Sequence, residues 1–322
     1  MRDASVARHV DRIESAIAGS EAAHSALVAS WQRSCALHRL DPADARGPQT
    51  LTGPELQRAR ERLDLLIRSA QDSLDRLYQA VGGVGCCVLL ADADGVPVDR
   101  RGAPADDETF HRWGLWTGTV WSEASEGTNG IGTCLVEQRL LTIHRDQHFH
   151  ARNSGLSCTT APIHDHEGRL AAALDVSSCR ADLTEGFVNL IAVAVSDAVR
   201  RIEAENFRRA FPDARVLLAP SPERGGGGLI AVDRHDLIIG ATRAARLAFG
   251  LRDDDLRGSL PAADLLAGGP GGREQLADAE RGVIQRALAR SHGNVSAAAA
   301  SLGMSRATFY RALKRLRLDA AH

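Results

Sequence analysis

The chain has 322 residues, 44% of them hydrophobic and 25% charged, with a formal net charge of −2. That length accommodates two or three domains with ordinary globular cores, which excludes an intrinsically disordered chain. No run of about 18 apolar residues occurs, and Met1 leads into polar and charged residues rather than a signal sequence, so a soluble, cytoplasmic protein with no membrane partner is expected.

The first 53 residues read as a helical region, with Val10, Ile13 and Ile17, then Leu27, Val28 and Trp31, at helix spacing. DPADARGP (Asp41 to Pro48) breaks that pattern. A long amphipathic helix is predicted from Pro54 to about Ala80, its apolar face built from Leu56, Leu63, Leu66, Ile67, Leu74 and Leu77. Such a helix either pairs two subunits or packs on its own domain.

From Cys86 the texture changes to short β-type runs: CCVLLAD, a DADG turn at Asp92 to Gly95, LLTIH at Leu140 to His144, CTTAPIHD at Cys158 to Asp165 and LAAALDVS at Leu170 to Ser177. DHEG between the last two is a hairpin signal. Helical spacing returns from Thr184 to about Arg209 with Phe187, Ile191, Val195, Val199 and Ile202. Strands enclosed by helices make residues 54–209 an α+β domain.

Residues 210–228, with four consecutive glycines, read as a linker. Residues 229–267 suggest strand, turn, strand and helix, and about 40 residues make so thin a core that this piece is expected to pack on a neighbour or on its dimer mate. A second gap at 268–275 precedes the all-α segment 276–319.

That last segment carries the charge asymmetry. Ala279 to Leu318 holds eight Arg or Lys against Glu280 alone, a balance of +7 that leaves −9 on the remainder. A basic reader joined to a mildly acidic body is the expected reading. Val283, Ile284, Ala287 and Leu288 share a face of its first helix, Asn294 or Ser296 can cap the second, and Leu302 and Met304 bracket a turn at Gly303. Ser305 caps a third helix whose core face is Phe309, Ala312, Leu313 and Leu316. The opposite side centres on Ala307, small enough for the backbone to approach a groove floor. Arg306 is expected at guanine, with Ser305, Thr308 and Tyr310 at bases or backbone and Arg311, Lys314 and Arg315 on phosphates of double-stranded DNA.

The spacing GN-x3-AA-x2-LG-x-S-x2-TFYRALKRL, within roughly 280–318, resembles the Fis-type helix-turn-helix at the C-terminus of bacterial enhancer-binding regulators. The resemblance implies a homodimer on a palindromic site. GTVWSEASEGTNGIGTCL (Gly118 to Leu135) and the run from His144 to Ser177 resemble the GAF domain of acetoin-catabolism activators over about 60–205, and SWQRS (Ser30 to Ser34) fits the segment preceding it. By that resemblance the domain is a central antiparallel sheet flanked by helices, with helices on one face and a small-molecule effector pocket on the other. Candidate ligand contacts are Trp113, Trp116, Trp121, Glu126, Asn129, His144, His148 and Cys158, against which stands ordinary core packing, with Asn129 merely suiting a left-handed turn.

No metal or cofactor is expected: His144, His148 and His150 lack a completing carboxylate or thiolate set, and Cys35, Cys86, Cys87, Cys134, Cys158 and Cys179 show no CxxC spacing. Regulators of this type usually carry an AAA+ ATPase between sensor and reader. A Walker A loop needs a lysine, and the sole lysine here is Lys314, which excludes ATP-driven sigma-54 activation. The short insert 229–267 instead resembles the opening of a PAS domain. The preferred function is therefore a non-enzymatic, ligand-responsive DNA-binding regulator, for which steric repression is simplest and RNA polymerase recruitment and competition with a full-length relative are both open. The alternative is a GAF-based thiol enzyme, tethered to DNA, that reduces free methionine sulfoxide.

Overall fold

The computed structural model describes residues 4–19, 25–180, 184–219, 227–257, 260–266, 276–291, 293–316 and 318. They fall into two compact units, Met1–Leu260 and Pro261–His322.

The first unit opens with α1 (Ala4–Ala18) and α2 (Ala26–Gln32), the latter continuing into a π-helical turn, Arg33–Leu37. The helix predicted over 54–80 is two helices, α3 (Gly53–Arg62) and α4 (Asp64–Val81). Leu63, at φ −102° and ψ 9°, leaves helical geometry between them, a local break that apolar periodicity does not register. Thr52 and Glu55 form a capping box at the start of α3.

Five antiparallel strands follow: β1 (Cys86–Asp92), β2 (Pro97–Arg101), β3 (Leu141–His144), β4 (Ser157–His164) and β5 (Leu170–Ser178), in spatial order β2-β1-β5-β4-β3. Short helices α5 (Asp107–Arg112), α6 (Glu123–Glu126) and α7 (Gly130–Glu137) lie between β2 and β3, and α8 (Glu185–Ala210) closes the domain. On one face Leu66, Leu74 and Leu77 of α4 pack with Ile191, Val195 and Ile202 of α8 over Val88, Leu90, Leu174 and Val176. On the other, Cys87, Leu89 and Cys158 pack beneath Phe110, Trp121, Ile131 and Leu135. Both faces are thus covered, which is why β1 reads as an unbroken apolar run. Each such side chain contributes on the order of 1.5–3 kcal/mol of burial. The apolar face of α3 and α4 is used inside its own domain, whereas Leu190 and Val193 on α8 stay 66% and 67% exposed.

A second sheet, β6-β7-β8, is built from Arg215–Leu218, Leu229–Val232 and Ile238–Ala241. Strand β6 lies inside the segment that reads as linker, while residues 220–226 of the glycine-rich run are outside the described residues. Helices α9 (Arg243–Phe249) and α10 (Asp253–Arg257) complete this small layer. Phe207 of α8 and the adjacent Phe211 pack on Leu229 and Ala231.

The second unit comprises α11 (Ala262–Leu266), α12 (Leu276–Arg290), α13 (Val295–Ser301) and α14 (Arg306–Arg315). Ile284, Ala287, Val295, Ala298, Phe309, Ala312, Leu313 and Leu316 form its core. Val283, expected on the core face of α12, is 41% exposed because the buried stripe runs through Ile284 and Ala287, with Leu288 beside it.

Candidate effector and DNA-binding sites

SWQRS fastens the N-terminal region to the sheet domain. Ser30 Oγ donates to Glu123 Oε2 at 2.7 Å, and Arg33 reaches both oxygens of the same carboxylate at 2.6 and 3.0 Å. Arg33 also bonds Glu137 at 2.9 Å, and Trp31 Nε1 donates to the Gln147 carbonyl. Glu123 is 2% exposed at its side chain, so this is a charge-assisted joint made largely out of water. Sequence reasoning missed these roles, because the partners of Ser30 and Arg33 lie about ninety or more positions away.

The glycine-rich GTNGIGT turn also has a packing role. Asn129 is extended (φ −150°, ψ 170°) and not left-handed; its side chain caps α7 by accepting from Gly132 N at 2.8 Å. A Cβ on Gly130 would stand 2.6 Å from both Cys158 Cβ and Thr160 Oγ1, so only glycine lets α7 sit this close to the sheet.

Beneath α7 lies a buried polar chain. His148 Nδ1 donates to the Arg145 carbonyl at 2.9 Å, which leaves Nε2 to accept from the Cys158 thiol 3.4 Å away. Cys158 Sγ is 3.0 Å from Ser177 Oγ, and that hydroxyl is 2.6 Å from Asp175 Oδ2. Thr160 donates to Asp175 Oδ1 at 2.5 Å. Burial sets the charge state of each group: it pulls the His148 imidazole down to about 4, pushes the Asp175 carboxyl up to about 6 and raises the Cys158 thiol.

The eight candidate ligand residues are therefore dispersed. Trp121 is 2% exposed in the core, its Nε1 donating to the Gly114 carbonyl. Trp113 packs against the same core, and Trp116 lies against the Arg100 guanidinium at 4.2 Å. Asn129 caps α7, His148 pairs with Cys158, and half-buried His144 meets Ser157 Oγ at 2.9 Å. Glu126 alone of the eight borders a cavity of about 600 Å³ that also involves Asp44, Arg46, Ser122, His150 and Arg152. The imidazoles of His144, His148 and His150 turn to separate partners, Ser157, Arg145 and Asp41.

Thiol chemistry is poorly served. Cys87 and Cys158 both face Ser177 from opposite sides, which places them two strands apart. That is about 9–10 Å, beyond the roughly 7 Å a disulfide tolerates. Burial pushes Cys86 up to about 11 and Cys87 and Cys134 upward as well, so thiolate nucleophiles are scarce.

In the reader, Asn294 caps α13 by accepting from Ser296 N and Ala297 N, and Ser305 caps α14 by accepting from Thr308 N at 3.1 Å. Phe309, Ala312, Leu313 and Leu316 are buried, as their spacing predicts, while Arg306, Ala307, Thr308, Tyr310, Arg311, Lys314 and Arg315 are all exposed. Arg306 lies 5.7 Å over the Tyr310 ring, and Arg315 pairs with Glu280 of α12.

Residues 275–316 match the family described as bacterial regulatory protein, Fis family, and residues 66–202 match the GAF domain. The chain is 35% identical over 260 residues to the acetoin catabolism regulatory protein of Cupriavidus necator, an alignment covering 78% of this chain and 38% of that protein. It carries a GAF domain and a Fis-family reader, and it is homologous to the acetoin catabolism regulators. A second relative, the acetoin dehydrogenase operon transcriptional activator AcoR of Bacillus subtilis, is 30% identical over 175 residues, 54% of this chain and 29% of that one. The chain thus spans well under half the length of these relatives. A chain of the crystal structure of the E. coli DhaR(N)–DhaL complex shares the fold, with a TM-score of 0.51, 16% identity and coverage of 73% of this chain and 79% of that one. The interval between the GAF and Fis matches holds the small β6-β7-β8 layer, and the only lysine in the chain lies on α14, so no Walker lysine is available. These regulators lend the thiol-reductase alternative no support. Among the described residues no helix is long and apolar enough to cross a membrane.

Proposed function

We propose that this chain is a ligand-responsive transcriptional regulator, whose GAF domain binds a small metabolite and whose Fis-type readers, paired in a homodimer, grip a palindromic DNA site in the cytoplasm. The observation that carries the reading is α14: four apolar residues buried on one side and a basic, exposed surface centred on Ala307 on the other. The acetoin regulators among its relatives make a small hydroxylated metabolite of that kind the first effector to test. With no Walker lysine, control acts through occupancy of the site, either blocking polymerase or recruiting it, rather than through ATP hydrolysis.

Fluorescence anisotropy on genomic fragments recovered with the chain tests this reading. Affinity should fall steeply between low and physiological salt, since each phosphate contact releases a counterion. Arg306→Ala should weaken cognate binding by about 1–3 kcal/mol and relax specificity at one base position. Arg315→Ala should weaken cognate and random DNA alike and lower the salt slope by about one. Affinity insensitive to salt and to every effector would sink the proposal.

A further inference from the structure

The cavity of about 600 Å³ lies outside α6, walled by the segment Leu40–Gln49 on one side and by Glu126, His150 and Arg152 on the other. Its size falls within the usual range for small-molecule sites. Glu126 sits in its wall with a side chain only 3% exposed. Its Oε2 takes bonds from Arg152 Nη2 at 2.6 Å and Asn153 Nδ2 at 3.5 Å. Arg152 Nε is buried without a partner among the described residues. A buried guanidinium donor left unused at a cavity wall is costly unless something polar completes it.

We propose that this cavity, and not the core beneath α7, is the effector site, and that it takes a small neutral molecule bearing hydroxyl or hydroxy-carbonyl groups. The class follows from the charge inventory. Arg46 and Arg152 are each answered by a carboxylate, Asp44 and Glu126, so the cavity offers no net charge to an ionic ligand. It offers hydrogen bonds in both directions instead, from guanidinium donors, the Ser122 hydroxyl and carboxylate acceptors, which is the pattern a neutral polyol or hydroxyketone satisfies. The core beneath α7 lacks that capacity, since Asn129, His148, Cys158, Ser177 and Asp175 already bond one another or the backbone. The location also explains why the N-terminal region is riveted at Glu123: α6 carries both Glu123 toward α2 and Glu126 toward the cavity, so ligand contact and helix docking share one short element.

This inference rests on the effector-responsive reading, and isothermal titration of the full chain with 3-hydroxybutan-2-one, butane-2,3-diol and acetate separates the two. At least one neutral probe should bind and acetate should not. Ala124→Trp, which places a bulky ring at the exposed cavity wall without touching the core, should abolish binding, and Glu126→Gln should weaken it by about tenfold, or about 1.4 kcal/mol. Unchanged circular dichroism and melting temperature in Ala124→Trp establish that the loss is local. Binding that survives Ala124→Trp, tighter binding of acetate, or no binding of either neutral probe overturns the site or its ligand class. None of those results touches the DNA-binding reading, which fails only if the chain holds no DNA fragment.

Discussion

Replacing Asp175 by Asn is expected to raise the melting temperature at pH 8 and to leave it nearly unchanged at pH 4. Asp175 is buried on β5 with its carboxyl pushed up to about 6, desolvation being the largest cause, opposed by the hydroxyls of Ser177 and Thr160. In the unfolded chain the same carboxyl titrates near 3.8. Between about pH 4 and 6 the folded state therefore holds a proton that the unfolded state has released, so stability falls as pH rises through this window. At pH 8 the ionised group costs on the order of 3 kcal/mol relative to a neutral one. Asparagine removes that cost and can donate through Nδ2 to Ser177 Oγ. Ser177 then gives its hydrogen to Cys158, and Cys158 gives its own to His148. That ordering is the one a protonated Asp175 would impose, so the variant should also flatten the dependence of stability on pH between 4 and 6. Thermal denaturation at half-unit pH intervals measures both effects. A variant that is less stable than the parent at pH 8 would show that the ionised carboxylate is held by its hydroxyl donors more strongly than burial penalises it.

How much of this was legible in the sequence depends on whether the causes are local. CCVLLAD, CTTAPIHD and LAAALDVS announce β1, β4 and β5 because both faces of the sheet are covered, and the DHEG turn falls where Gly168 takes a positive φ of 77°. The reader was legible to single residues, since caps and core positions of α14 are set by neighbours three and four places away. Strand β6 was not, because RVLL at Arg215–Leu218 becomes a strand only when β7 supplies its ladder. The candidate pocket illustrates the same limit. Trp113 and Trp121 join one apolar cluster while Trp116 lies against Arg100, and whether a cavity remains among them depends on how α7 seats on the sheet, where Gly130 lets it seat closely. The cavity actually present is made from Leu40–Gln49, a stretch whose Pro and Asp content signals only a break in helical spacing.

Arg33→Met should destabilise the full chain by about 3–5 kcal/mol, because it strands a buried carboxylate. Glu123 accepts from Arg33 through both oxygens and from Ser30 through one, at a side-chain exposure of 2%. Without the guanidinium only a hydroxyl remains to answer that charge. Glu123→Gln should cost less, since Arg33 keeps its bond to Glu137 and is 28% exposed to water. The double variant Arg33→Met/Glu123→Gln removes charge and countercharge together, and it should recover much of the loss. Urea unfolding gives the three values and hence the coupling energy. That coupling energy separates charge from packing. If the double variant recovers nothing, the guanidinium acts mainly as an apolar spacer between α2 and α6. If it recovers most of the loss, the joint is electrostatic, and because α6 also bears Glu126, a weakened joint should loosen ligand binding in the cavity without any change to a lining residue.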